Sequence, residues 1–473
     1  MKAEDIRPSH LNPYDPQYDP LVARNPGHGA GYAPTYWVGT AGRPPDDDGP
    51  VCGDMEADVV IVGSGFTGLS TALFLAREHG IRAVVLEANQ SAWGCTSRNG
   101  GQGQNASGRL YRSQWIERWG KDVALKLDAE IREGFDTFKN LVAEFPECEP
   151  QPGGHLYIAH RDRKMDFLRN ETRVMREVFG YDARILSVDA VRRDYVDDAD
   201  CRGAMHEPDG IGVHPLKLAF GYLRKARELG VKVHPASPVL GMETRNGVHY
   251  LQTPGGTVKA RAVGFATGGY TSNGLHPSLR SKIMPILSNS LVTRPLTQEE
   301  LAATNFKTTQ VITDTRTLRF YYRKLPDNRV QIGSRSSITG ADAPNPVHMA
   351  KLVEGLHHKF PALKGIQVDY SWWGWVDVSH DMMPRITQPD PRQSVFYAVG
   401  YGGNGVSFSA HAGRRMAQRI AGQNLKAFEL PIYNSSLEYP NVFNMVRSEA
   451  FAPFRRMGQR FLYHWYHMND EKN

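Results

Sequence analysis

The stretch from Asp58 to Gln104 restricts this chain more than any other. Asp58–Val62 is a short β-branched run, too short and too apolar for anything but a buried strand, and it leads straight into Gly63, Gly65 and Gly68. That spacing, GxGxxG, gives each glycine a separate job: a tight turn, a close backbone approach to a pyrophosphate, and close packing of the next helix on the strand. Phe66, Leu69, Leu73 and Ala76 follow at helical spacing, so the free N–H groups of a helix N-terminus face the turn. A second strand, Arg82–Leu86, ends in Glu87, at the distance of about 20 residues where a carboxylate accepts the hydroxyls of an adenosine ribose. An acid there favours an unphosphorylated ribose. The unit therefore reads as a cradle for FAD or NAD rather than NADP, with Phe66, Thr67 and Ala88 among its contacts. GxGxxG alone is a weak signal; strand, helix, strand and acid in that order give it weight.

Beyond Glu87 comes Gly94–Gln102, a polar, glycine-dense loop where a plain NAD domain would usually continue into its next helix and strand. Such a loop can lie along an extended cofactor, with Arg98 reaching the pyrophosphate and the N–H groups of Gly100, Gly101 and Gln102 facing a ring system, beside Thr96, Ser97 and Asn99. A flexible surface loop is the plainer reading of the same composition. With these residues the segment resembles the flavin-binding start of the D-amino-acid oxidase superfamily, and within it the branch of γ-glutamylputrescine oxidases and their amine-oxidising relatives. Gly210–Ala219 (GIGVHPLKLA) resembles the segment before the family's second FAD-domain helix, Val263–Tyr270 its ATGxY strand end, and Gly400–Gly413 its C-terminal flavin loop and helix. The similarity runs from about Ala57 to Gly422, and the upstream pair Tyr36-Trp37 is also typical.

The resemblance implies an α/β fold: a Rossmann-like FAD-binding domain with a second substrate domain built on a large antiparallel sheet. The expected division is an extended N-terminal arm (1–50), a discontinuous FAD-binding domain (51–110, 195–285 and 376–426), a substrate-binding domain (111–194 and 286–375) and a C-terminal helical tail (427–473). Further cofactor contacts implied are Val239 for the adenine, Thr267 and Gly268, and Gly402, Gly403, Asn404, Gly405 and Val406 before the last helix. There a helix N-terminus would stabilise the negative charge that reduced flavin develops. Some relatives carry a flavin-linking cysteine near 376–379, and others a flavin-linking histidine where Arg98 stands. This chain has neither, so noncovalent FAD is expected.

Arg109–Phe145 reads as one helix closed by Pro146. The run Leu318–Leu325 puts Arg319, Tyr321 and Arg323 on one face of a strand and Phe320, Tyr322 and Lys324 on the other. Val368–Val376 carries Tyr370, Trp372, Trp373 and Trp375. In the family this sheet walls the pocket over the flavin, and an aromatic wall with flanking cations suits an amine that bears a carboxylate tail. Core packing accounts for such aromatics equally well. The substrate-side candidates are Tyr321, Arg323, Trp372, Trp373 and His380. The implied activity is oxidation of an amine by hydride transfer to flavin N5, giving an imine that hydrolyses to aldehyde and amine, with O2 reduced to H2O2. The substrate is expected to be a γ-glutamylated or other carboxylate-bearing amine. Oxidation of secondary or N-methyl amines or of amino acids, a quinone-linked dehydrogenase, and a noncatalytic flavin or NAD module stay open.

At 473 residues the chain has length for two or three cores. Its net charge of +6 is interspersed without a block of five like charges, which argues against nucleic acid as a partner. Four cysteines, at 52, 95, 148 and 201, have no metal spacing and suit a reducing cytoplasm, so no metal is expected. No apolar run approaches the ~18 residues of a membrane span, and Met1–Arg7 lacks the apolar core of a secretory signal. His155 and His160 read as structural or surface residues with nothing nearby to pair them. The basic, aromatic segment from Phe451 to Tyr466 is expected to pack on the body or on a neighbouring subunit, with a membrane surface as the alternative.

Overall fold

The computed structural model describes residues 19–435 and 451–471; residues 1–18 of the expected arm and 436–450 and 472–473 of the expected tail lie outside the described residues. The strand Met55–Val62 lies at the centre of the first sheet, parallel to Gly256–Phe265 on one side and to Val84–Leu86 on the other. Lys232–His234 extends the parallel set beyond Val84–Leu86, Val395–Val399 joins Gly256–Phe265, and the meander Gly241–Arg245 and Val248–Thr253 completes one edge. Val60 and Ile61 are fully buried because helices or loops cover both faces, as a continuous apolar run requires.

The helix Phe66–His79 starts at Gly65 and stops at Gly80, whose left-handed φ of 67° lets its N–H return to the carbonyls of Ala76 and Leu75. At its first turn a Cβ on Gly68 would stand 1.8 Å from the carbonyl oxygen of Gly63, so only glycine allows the helix to approach the strand this closely.

The second sheet has the order Val368–Val378, Met284–Thr293, Val330–Ser334, Tyr321–Lys324, Val311–Asp314, His155–Ile158, Ala204–Glu207, Arg184–Leu186. It is antiparallel except where Val311–Asp314 runs parallel to His155–Ile158. Behind it the ammonium of Lys359, 1 % exposed, stands 3.3, 3.5 and 3.2 Å from carboxylates of Asp198, Asp200 and Asp314, and Arg316 pairs with the last two at 2.6 Å. The charges are buried but paired, which is the condition for tolerating them there.

Three expectations change. Gly120, at φ 79°, divides Arg109–Phe145 into two helices, Arg112–Trp119 and Lys121–Glu144. The second of these does not belong with the substrate sheet: Leu127, Ile131 and Phe138 share a core with Leu69, Leu73, Phe408 and Ala412 of the cofactor-domain helices Phe66–His79 and Gly405–Ile420. The boundary expected at 195 falls inside the second sheet, because Ala204–Glu207 pairs with both His155–Ile158 and Arg184–Leu186. Sequence periodicity marks a buried face but not which neighbour covers it.

The arm docks through a single turn of helix, Tyr36–Thr40. The Trp37 indole donates to the Asn99 carbonyl at 2.8 Å, and the Tyr36 hydroxyl to Asp327 at 3.0 Å. The C-terminal helix, Ala452–Asp470, lies on the body: Arg456 pairs with Asp19 and donates to the Pro285 carbonyl, and Asp470 accepts from Thr317 and Leu318. Its outer face leaves Phe454, Phe461 and Trp465 exposed. Among the described residues no helix is long and apolar enough to cross a membrane.

Candidate active site

A deep cavity opens between the two sheets, and most of the expected cofactor contacts line it. Gly63, Gly65, Phe66 and Thr67 come from the glycine turn, Glu87 and Ala88 from the second strand's end, and Thr96, Arg98, Asn99, Gly100 and Gln102 from the loop. Val239, Thr267 and Gly268 line it at the meander side, and Gly402, Gly403, Asn404, Gly405 and Val406 at the start of the last helix. Residues from six separate segments thus converge because the parallel strands all end on the same edge.

Three expected contacts stand behind the lining instead. Gly68 is spent on packing against Gly63, the Ser97 hydroxyl donates to the Trp93 carbonyl at 2.7 Å, and Gly101 is pressed against the Val213 carbonyl and Arg323. They shape the walls without facing the space.

Local hydrogen bonds fix the cradle. Glu87 Oε2 accepts the Ser64 backbone N–H at 2.9 Å and its hydroxyl at 2.7 Å, while Oε1 accepts the Asn89 N–H at 3.0 Å. Burial pushes this carboxyl above its usual range, and Oε1, with one of these three bonds, is the oxygen that keeps acceptor capacity for a donor in the cavity. Thr96 Oγ1 accepts the Phe66 N–H, and the hydroxyls of Thr67 and Tyr401 meet at 2.8 Å across the cavity floor. Asp377 accepts the Gly400 N–H and anchors the C-terminal glycine loop; burial raises its pKa. A glycine turn with no room for a side chain, a helix N-terminus and a buried acceptor carboxylate together fit a dinucleotide's diphosphate and ribose.

The Arg98 guanidinium stacks 4.5 Å over the Trp93 ring, and its stem packs on Gly374 of the second sheet. It therefore stands at the second-sheet end of the cavity, which differs from the reach to a pyrophosphate expected from the loop alone. Cys95 also lines the cavity. Burial and the nearby Asp377 push its thiol up to about 12, so it stays protonated and a poor nucleophile at neutral pH.

Of the substrate-side candidates only Tyr321 lines this cavity. Its ring lies against Gly100 and Gly333, and its hydroxyl is held by Ser288 at 3.0 Å and Ser290 at 2.9 Å. Arg323 shares its strand face but is 1 % exposed, because it donates to the carbonyls of Gly100 and Val213 and to Gln151. Trp372 packs at 6.5 Å on Trp37 and donates its indole N–H to the Arg98 carbonyl, while Trp373 lies in a core with Trp93 and Leu287. His380 lies beyond the end of the strand Val368–Val378 and lines neither this cavity nor its outer continuation. Arg323, Trp372 and Trp373 are support rather than surface, for alternation assigns a face without saying whether a loop closes over it.

His155 and His160 are structural, yet both are paired. The rings contact Glu207 and Thr313, and Thr315 and the Asp470 carbonyl, respectively. Away from the cavity, Glu130, Glu133 and His411 come within ligand distance of one another, but Arg415 and the Tyr433 hydroxyl also bond Glu130, so the group forms an ion-pair network.

Sequence reasoning missed Arg109, Arg319 and Arg335, which line both the cavity and its outer continuation. Arg319 was legible as the residue two before Tyr321 on one strand face; Arg109 and Arg335 sit in loops and carried no signal.

Comparison with known proteins agrees with this geometry. The family model described as "DAO: FAD dependent oxidoreductase" matches residues 58–419. The chain is 32% identical over 384 residues to the gamma-glutamylputrescine oxidoreductase of Escherichia coli (strain K12), covering 80% of this chain and 88% of that protein. It is 28% identical over 395 residues to the sarcosine oxidase subunit beta of Arthrobacter sp, covering 79% and 89%. Glycine oxidase from Bacillus cereus ATCC 14579 shares the fold at a TM-score of 0.66 and 20% identity, over 81% of this chain and 99% of that one. The match spans most of the chain, including the glycine turn and the last glycine loop, and the chain belongs to the DAO family of FAD-dependent oxidoreductases.

Proposed function

We propose that the protein oxidises a carboxylate-bearing amine, with a γ-glutamylated amine as the first candidate, to an imine that water hydrolyses to an aldehyde and an amine. The carrying observation is that Tyr321, Arg319, Arg335 and Arg109 line the same cavity as the glycine cradle. The likeness to a gamma-glutamylputrescine oxidoreductase over most of both chains supports the amine as donor. FAD held by the cradle would supply a hydride acceptor, with O2 as the proposed two-electron oxidant of the reduced cofactor, itself reduced to H2O2.

The chain's own contribution is placement. The Tyr321 ring closes one side of the cavity, with its hydroxyl fixed by Ser288 and Ser290 and available to orient a polar substrate group. Guanidinium groups at the cavity's outer end hold a carboxylate and so set which end of the amine points inward. The positive field of these arginines also favours a neutral over a protonated amine inside the cavity, the form from which hydride departs. The N–H groups at the start of Gly405–Ile420 face the cavity and favour negative charge there. Noncovalent attachment of FAD is supported by the protonated Cys95 thiol and by Val376, Asp377, Val378 and Ser379 in place of a linking cysteine.

Anaerobic mixing with a panel of γ-glutamylated amines, free polyamines, N-methyl amines and amino acids tests this. Bleaching of the flavin by a γ-glutamyl amine, reversed by air with peroxide release, is the expected result. Bleaching confined to N-methyl amines or amino acids would replace the substrate, and no bleaching by any amine would defeat the reading.

A second acceptor is favoured by one observation: the exposed Phe454, Phe461 and Trp465 on the C-terminal helix suit contact with a membrane surface, where quinone is the electron acceptor. Reoxidation by a soluble quinone much faster than by air would select this alternative.

A further inference from the structure

The cavity continues outward into a vestibule of about 660 Å³, roofed by the C-terminal helix through Gln459, Tyr463 and Tyr466. Arg109, Arg319 and Arg335 line both spaces and so stand at the junction between them. They come from three places: the loop after Gly108, the residues just before the strand Tyr321–Lys324, and the residue just after Val330–Ser334. Among the described residues each is hydrogen-bonded by neutral groups only. Arg109 donates to the Gly402 carbonyl at 3.2 Å, Arg319 to the Tyr111 hydroxyl at 3.4 Å, and Arg335 to the Thr317 carbonyl. Among the described residues no carboxylate pairs with any of the three at 4.0 Å or less, whereas Arg316 beside them is paired with Asp200, Asp314 and Glu471. Among the described residues the vestibule lining contains six basic side chains, Lys164, Arg316 and Arg455 besides these three, and no acidic one.

Half-buried like charges repel one another, and the repulsion is felt here: burial, together with Arg335 and Arg319, drives the Arg109 guanidinium well below its ordinary range. Against its burial, the Arg319 guanidinium is held charged by Tyr157, Tyr111 and the more distant Asp314, so with no carboxylate within 4.0 Å of the three among the described residues, direct pairing is left to a ligand. One carboxylate satisfies one guanidinium fork bidentately, or bridges two. Three guanidiniums approaching from separate elements exceed what one carboxylate can pair.

We propose that Arg109, Arg319 and Arg335 form a subsite for a doubly negative end group, so that among carboxylate-bearing amines one attached to a dicarboxylate is preferred over a γ-glutamylated amine, whose head carries a single carboxylate, with the amine end at Tyr321 and the two carboxylates at the junction. This rests on the amine-oxidation reading for the reacting end, but not for the anion site itself. The site discriminates by charge number. A second carboxylate adds affinity only if it reaches the second and third arginines, and that gain is screened by salt.

The test is calorimetric titration of the FAD-loaded protein with compounds that carry no amine and cannot be oxidised: glutarate and succinate against butyrate and acetate. Glutarate or succinate should bind at least about tenfold more tightly than the monocarboxylate of similar length, and the ratio should shrink between low and high salt. Arg319→Gln and Arg335→Gln should each remove most of that ratio while retaining flavin absorbance and thermal midpoint, and Arg335→Lys should restore part of it. Equal affinity for mono- and dicarboxylates, or a preference unchanged in both glutamine variants, overturns the proposal. Because no turnover is read, dicarboxylate binding with no amine oxidation would sink the activity and keep the subsite; amine oxidation with no dicarboxylate preference would do the reverse.

Discussion

The indole N–H of Trp372 donates to the carbonyl of Arg98 at 2.7 Å, tying the strand Val368–Val378 of the second sheet to the loop that lines the cofactor cavity. The bond is buried on both sides. A hydrogen bond of this kind contributes about 1 kcal/mol net. Trp372→Phe retains an aromatic ring against Trp37 but lets the loop loosen, so FAD should dissociate about fivefold more readily. Flavin fluorescence on dilution reads the change; an unaltered dissociation constant would mean that the loop is held by its other contacts alone.

Tyr321 is expected to serve the substrate rather than the fold. Tyr321→Phe keeps the ring on Gly100 and Gly333 and loses only the hydroxyl between Ser288 and Ser290. We expect kcat/KM to fall about tenfold or more, the worth of one well-placed polar contact of about 1.4 kcal/mol, with an unchanged flavin spectrum. Full activity in this variant would remove Tyr321 from the substrate site.

Gly68→Ala tests the cradle from behind. Its methyl group would meet the Gly63 carbonyl at 1.8 Å, a contact that only displacement of the helix or the turn relieves. The expected product is a colourless protein with a lowered thermal midpoint. A yellow protein of normal stability would show that the turn has slack not visible in this packing.

His214 makes stability depend on pH. Thr40 Oγ donates to the Tyr36 carbonyl, so His214 Nε2–H donates to Thr40 Oγ, and Nδ1 accepts the Lys217 N–H as the cap of Pro215–Glu228. Burial, with Lys217 and Arg323 nearby, lowers its pKa from 6.5 to about 3. The unfolded chain takes up this proton below about 6.5 while the folded chain resists until about 3, so stability from His214 is complete above the first value and is lost as pH falls toward the second. His214→Asn keeps a capping acceptor without titrating. Urea midpoints measured from pH 7 to 4 should fall less steeply in the variant; parallel curves would refute the role.

Much of the cofactor half was legible because its signals are local. Strand, glycine turn, helix and acid lie within about 30 residues, as a βαβ unit requires, and backbone conformation at a glycine depends on its immediate neighbours. The loop around Gly402 was legible through its resemblance to the family's C-terminal flavin loop and helix. What failed was assignment of side chains to surfaces. Arg323 and Tyr321 share one strand face, yet Arg323 is capped by the Gly100 and Val213 carbonyls, more than 100 residues away in sequence, while Tyr321 stays open to the cavity.

The sequence by itself determined the glycine turn and placed Glu87 at the end of the next strand, the arrangement that suits a dinucleotide, since it needs only short-range geometry. Only the tertiary structure decided that Arg109, Arg319 and Arg335 meet at one junction without an acidic partner among the described residues. Burial and charge pairing are set by which distant segments come together, and no local pattern encodes that.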